Sequence, residues 1–235
     1  MNDTTFSGSP GSATATATVS GRRRVPLPLK LAYTAFMAVL VPVYWAKYGP
    51  TNFLYFCDLA LFLTLAGVWM ESALLLSMAA VGILLPQGLW CLDFAFQLAG
   101  GRLVGMTAYM FDPGRSLFLR GLSLFHGWLP FLLVYVVRRT GYDRRALPAW
   151  TALGWTACLI AYFLLPPAGP EHAGKLVPNN VNYVFGFDDA KPQAWMPAPA
   201  FLVTWMAGLL VAVYLPTHAM LRRWIPSAFR AGGSL

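Results

Sequence analysis

The cysteine-aspartate pair in NFLYFCDLALFL and the histidine inside LFHGWLPFLLV are the residues of this chain best suited to do chemistry. Cys57 offers a nucleophilic sulfur, Asp58 a carboxylate, and His126 an imidazole whose ordinary pKa lies near neutrality. A thiol in apolar surroundings is a poor nucleophile until a base takes its proton. An imidazole within about 3 Å would supply that base and then protonate a departing alcohol. Asp58, or Asp93 in QGLWCLDFAF, fits the third role of holding the imidazole in one tautomer. Cys57, His126, Asp58 and Asp93 are therefore the candidate catalytic set. Each also has a plainer reading: a small buried thiol, an interhelical hydrogen bond from the ring, carboxyls that protonate where nothing pairs them.

Membrane helices must position these groups. The 235 residues are 57% hydrophobic and only 11% charged, with a mean hydropathy of +0.56. Soluble domains run near 25% charged, so the deficit points to lipid. Six stretches approach the roughly 20 apolar residues needed to span hydrocarbon: 28–46, 53–70, 72–98, 116–137, 148–166 and 199–221. The expected fold class is all-α, an integral membrane protein built as a six-transmembrane-helix bundle with a disordered N-terminal tail. Residues 1–24 are the tail, rich in Ser, Thr, Gly and Ala and ending in three arginines. Residues 25–223 form the membrane domain, and 224–235 a short C-terminal tail. Pro86 predicts a kink, tilt or interfacial end in the long third span, and residues 100–115 read as a loop with a short helix. Cys57, Cys91 and Cys158 all lie in apolar runs, which argues against a disulfide framework.

Charge sets the orientation. The net charge of +8 comes from basic residues at helix ends, which fits anionic headgroups and membrane topology better than nucleic acid. With both termini cytoplasmic, eleven Lys and Arg fall inside and six outside. Cys57, Asp58, Asp93 and His126 then converge on the outer half of the membrane. On the fourth span Ser116, Arg120, Ser123 and His126 recur every three or four residues, a polar stripe that belongs inside a bundle or in a wet crevice. Arg120 could steady an oxyanion or a lipid phosphate, with Ser123 beside it. Gln87 and Cys91 share one face of the third span, and Trp90 joins the aromatic surroundings expected for an acyl chain. His172 and His218 are expected at the surface. By helical rise, His126 lies roughly 15 Å below the start of its span and Cys57 roughly 6 Å below its own, a gap that tilt must close if they are to meet.

Together these motifs resemble the polytopic family of androgen-induced membrane hydrolases and its relatives, which include a transmembrane cysteine acyltransferase and bacterial integral membrane proteins. In that group a Thr or Cys follows an aromatic-Leu pair, and a His stands shortly before Leu-Pro-Phe. Here Cys57 follows Tyr55 and Phe56, and His126 precedes Leu129, Pro130 and Phe131. NNVNYVFG is similar to an Asn-Tyr motif of the bacterial members, carried by Asn182 and Tyr183. The resemblance implies a lipid acyl-ester hydrolase or acyltransferase. It makes Asn182 and Tyr183 substrate-side candidates, beside Arg120, Ser123, Gln87 and Trp90. Cysteine in place of the hydrolases' threonine leaves hydrolysis and acyl transfer both open. No cofactor is implied; the partners are membrane lipids, as solvent and substrate, with no nucleic acid. The membrane expected is the bacterial inner membrane.

Two other classes compete. A transporter would line a permeation path with the polar stripe, but the chain has no inverted repeat. A metal-dependent hydrolase would use Asp58, Asp93 and His126 as zinc ligands, without the paired-histidine spacing usual for such sites, so no metal is expected. A purely structural membrane protein is the remaining reading.

Overall fold

The computed structural model describes residues 25–171 and 177–228. The expected N-terminal tail and His172 lie outside the described residues. Six helices follow one another up and down: α1 Leu27–Tyr48, α2 Phe56–Met70, α3 Ala73–Leu98, α4 Leu117–Thr140, α5 Ala146–Leu164 and α6 Ala198–Trp224. Five are long and apolar enough to cross a membrane, whereas α2 has 15 residues. At 1.5 Å per residue α2 spans only about 22 Å, short of the roughly 30 Å hydrocarbon core. The expected second span is thus a shorter helix, because residues 50–54 turn into a 3-10 segment before it begins. Phe131, Phe163, Leu164 and Val211 are exposed on the outside of the bundle, as a lipid-facing surface requires and an aqueous one rarely tolerates.

One end of the bundle is tied together by polar contacts between connections. Lys30 of α1 meets Glu71 in the α2–α3 turn at 2.7 Å. The Asp143 amide, in the α4–α5 turn, donates to Ser77 of α3 at 3.0 Å. Tyr142 pairs with Ser227 in a single parallel bridge and meets His218 Nδ1 at 2.6 Å. These contacts place the start of α1 and the end of α6 on the same side. They also correct the surface reading of His218, which is half-buried because the chain after α6 folds back over it; Ile225 and Ala228 are buried there. Gly141 ends α4 at φ +84, where a Cβ would strike Ala228 backbone at 2.7 Å.

α3 is the central helix. It packs against α2, α4, α5 and α6, and residues 76–84 are buried without interruption. Pro86 leaves the helix continuous. In α6 a single π turn at 210–214 precedes Pro216, a local widening that accommodates the lost amide. α3 and α5 pack tightly: the Trp150 ring, fully buried, lies against Gly82, where an added Cβ would meet it at 2.0 Å.

Gly82→Ala is expected to destabilise the bundle by at least about 2 kcal/mol, because the indole has nowhere to move. Gly88→Ala, where nothing lies within 4 Å, is expected to be neutral or stabilising by up to about 1 kcal/mol through helix propensity. Melting of the two variants in one detergent compares them directly.

Candidate functional site

The end of the bundle away from the Lys30–Glu71 contact carries the candidate residues. α2 opens at Phe56, so Cys57 and Asp58 stand in its first turn. The start of α2 is clamped by a loop far away in sequence. Phe56 N donates to Asn182 Oδ1 at 3.1 Å, Asn182 Nδ2 donates to Leu54 O at 2.9 Å, and Trp205 Nε1 donates to Asn182 O at 2.8 Å. Asn182 therefore acts as a remote N-cap, satisfying an amide that no residue beside it can reach. Tyr183 follows it with a left-handed φ of 61 and remains partly solvent-exposed.

Asp58 is 3% exposed, and its two carboxylate oxygens are treated differently. Oδ2 accepts from Asn52 Nδ2 at 3.2 Å and from the Cys57 thiol at 3.7 Å. Oδ1 is buried with no hydrogen-bond partner among the described residues. Backbone amides 57 and 58 lie beside the sulfur. The thiol thus sits at a helix N-terminus, between amide dipoles on one side and a carboxylate on the other.

His126 occupies a kinked stretch of α4, just after the turn at Leu124. Its Nδ1 faces Ser123 O at 2.8 Å. A carbonyl only accepts, so Nδ1 carries the proton and Nε2 holds the lone pair. The ring is stacked between Phe125, at 4.0 Å, and Trp90, at 5.2 Å between centroids. Pro130, four residues on, cannot donate to His126 O. That orphaned carbonyl takes the Cys91 thiol at 3.8 Å, which gives Cys91 a structural task.

Among the described residues, no hydrogen bond or ring contact joins Cys57 to His126 directly. Three residues that the motifs did not single out lie between and around them. Tyr44 of α1 donates to Ser123 Oγ at 3.0 Å, while that hydroxyl donates on to Leu119 O at 3.2 Å. Tyr109, in the short 3-10 turn Ala108–Met110, accepts from Trp90 Nε1 at 3.2 Å and stands within electrostatic reach of Cys57. Burial raises the Tyr109 phenol, against the opposing pull of the Trp90 indole, so the hydroxyl stays neutral. Asn52 completes the group. The hydrogen bonds and ring contacts make two polar groups at this end of the bundle: Cys57, Asp58 and Asn52, and Tyr44, Ser123, His126, Trp90 and Tyr109.

Asp93, Arg120 and Ser116 have structural partners. Asp93 is fully buried and accepts four hydrogen bonds: Val104 N at 2.7 Å, Gly105 N at 2.8 Å, and Thr107 N and Oγ1 at 2.9 and 2.7 Å. Both oxygens are occupied in folding the loop after α3, and the imidazole tautomer is set by Ser123 O instead of by a carboxylate. Arg120 donates through NH1 to Met110 O at 3.1 Å, which pins the same loop, while its Nε has no partner. Ser116 caps α4 by accepting from Leu119 N at 3.3 Å. Gln87 is 3% exposed, and neither its Oε1 nor its Nε2 has a partner among the described residues. No three His, Cys, Asp or Glu side chains among the described residues are arranged to hold a metal ion. Comparison with protein-family models, curated proteins and solved structures found no match for this chain.

Asp93→Ala would leave three loop amides without acceptors, at a cost of about 2–4 kcal/mol. Limited trypsin digestion is expected to cut after Arg102 at least ten times faster in the variant than in wild type, at roughly the rate-energy exchange of 1.4 kcal/mol per decade.

Proposed function

We propose that this protein is a membrane-embedded enzyme that cleaves or transfers the acyl group of lipid esters through Cys57. The supporting observation is the Cys57–Asp58 contact of 3.7 Å at the N-terminus of α2, beside a carboxylate oxygen that is buried and unpartnered. Asp58 Oδ2 accepts the thiol proton as sulfur attacks the ester carbonyl. The amide dipoles of the α2 N-terminus steady the oxyanion. Collapse of the tetrahedral species breaks the carbon–oxygen bond, and the alkoxide leaves with the proton held by Asp58, so a thioester remains on Cys57. His126 Nε2 then takes a proton from the second acceptor, whose oxygen attacks the thioester; the carbon–sulfur bond breaks, and the imidazolium returns the proton to the departing thiolate. Water as acceptor gives a fatty acid; an alcohol gives a new ester.

Assigning the proton of Cys57 to Asp58 and the acceptor to His126 uses each base where it stands. A transport role has less support. The outer polar groups are separated from the Tyr142–His218 end by a layer of buried Leu40, Ala60, Leu61, Ile83 and Leu129. An ion or polar solute would have to cross that layer. The basic helix ends favour an orientation with Lys30 and Arg145 facing the cytoplasm of a bacterial inner membrane, and with the polar groups in the outer leaflet.

In a lipid-ester assay, Cys57→Ala is expected to abolish turnover, and Asp58→Asn and His126→Ala to lower it by about 10²-fold or more. Each should keep the elution profile of folded protein. Full activity in folded Cys57→Ala would remove the proposal.

A further inference from the structure

Gln87 is buried in α3 with neither polar atom of its carboxamide bonded among the described residues, and burying a carboxamide in that state is costly. Its position in the bundle says what partner would relieve it. Leu76, Ala80, Ile83, Gln87 and Trp90 make one buried stripe along α3, spaced three and four residues apart. At its inner end that stripe faces α2, where a Cβ on Gly67 would meet Leu76 at 2.8 Å. At its outer end it faces α4, where Trp90 stacks on His126 and lies 3.9 Å from the Cβ position of Gly127. Helical rise puts Gln87 roughly 16 Å outward of the Gly67–Leu76 contact, and Cys57 roughly 15 Å outward of it on the antiparallel α2. The amide and the thiol are therefore at the same depth, with the imidazole of His126 nearby on α4.

We propose that Gln87 recognises the ester end of a lipid monoacyl ester that carries a free hydroxyl next to the ester, as in a monoacylglycerol or lysolipid. This rests on the acyl-ester reading of Cys57 and names its substrate class. A carboxamide presents a donor and an acceptor side by side. Nε2 donates to the ester carbonyl and holds it at the level of the sulfur, while Oε1 accepts from the neighbouring hydroxyl. An ester without that hydroxyl leaves Oε1 buried and unpaired, and a site built to bond a hydroxyl discriminates strongly against the analogue lacking it.

The test uses the purified full chain, with 1-monooleoylglycerol and methyl oleate as probes that share an acyl chain and differ in the hydroxyl. Wild type should turn over the glycerol ester with a kcat/KM at least about tenfold higher. Gln87→Met, which keeps the side-chain length, and Gln87→Leu should bring that ratio to within about twofold. Both variants should melt no lower than wild type without lipid, since each removes an unsatisfied amide. Equal turnover of the two esters by wild type, or a preference retained in both variants, overturns the assignment. So does a melting point well below wild type in both variants, since the amide would then be satisfied inside the protein. Cys57→Ala separates the two ideas. If it still turns over lipid, the nucleophile is wrong; a melting-point rise with 1-monooleoylglycerol that exceeds the rise with methyl oleate, and that Gln87→Met loses, supports Gln87 by itself. No such difference overturns it.

Discussion

Carboxylates cannot sit in an apolar helical bundle without something to bond them, and Asp58 and Asp93 meet that constraint in opposite ways. Asp93 collects three amides and a hydroxyl from one short loop, so both oxygens are filled and the loop is folded. Asp58 receives Asn52 and the Cys57 thiol on one oxygen and nothing on the other. A filled carboxylate holds structure in place. A half-filled one, held against a nucleophile, has capacity left for chemistry.

The same accounting explains the less prominent polar residues. Pro130 denies the His126 carbonyl its helical partner, and Cys91 takes it over. α2 begins without a capping side chain of its own at Tyr55, so Asn182 reaches in from a distant loop. Because that loop, the α2 N-terminus and Trp205 of α6 are fastened together, the position of Cys57 depends on contacts made by the last third of the chain. Tyr44 ties α1 to Ser123, one turn from the imidazole, and Tyr109 ties the post-α3 turn to Trp90. What the loops at this end of the bundle do, then, is fix the start of α2.

Hydropathy made the long helices and their up-and-down order legible, because lipid leaves only one way to satisfy a backbone. Cys57, Asp58 and His126 stood out for the same reason, as ionisable groups in apolar runs. α2 was read too long because residues 53–55 are as apolar as a helix, and nothing in their composition marks the 3-10 turn. The role of Asp93 was hidden because it depends on the conformation of residues 104–107, eleven to fourteen positions away. Asn52, Tyr44 and Tyr109 carry no spacing signal at all; only the fold brings them beside Cys57 and Ser123. Tautomer control by a backbone carbonyl is invisible in any sequence.

The mechanism proposed for Cys57 puts an acyl group on its sulfur during turnover. Mass spectrometry of His126→Ala after incubation with a lipid ester tests it, since loss of the second base should let the intermediate accumulate. The account predicts one added acyl mass on the Cys57 peptide, removed by neutral hydroxylamine as a thioester is. Ester cleavage with an unmodified Cys57, or the same adduct appearing in the additional Cys57→Ala background, would contradict it.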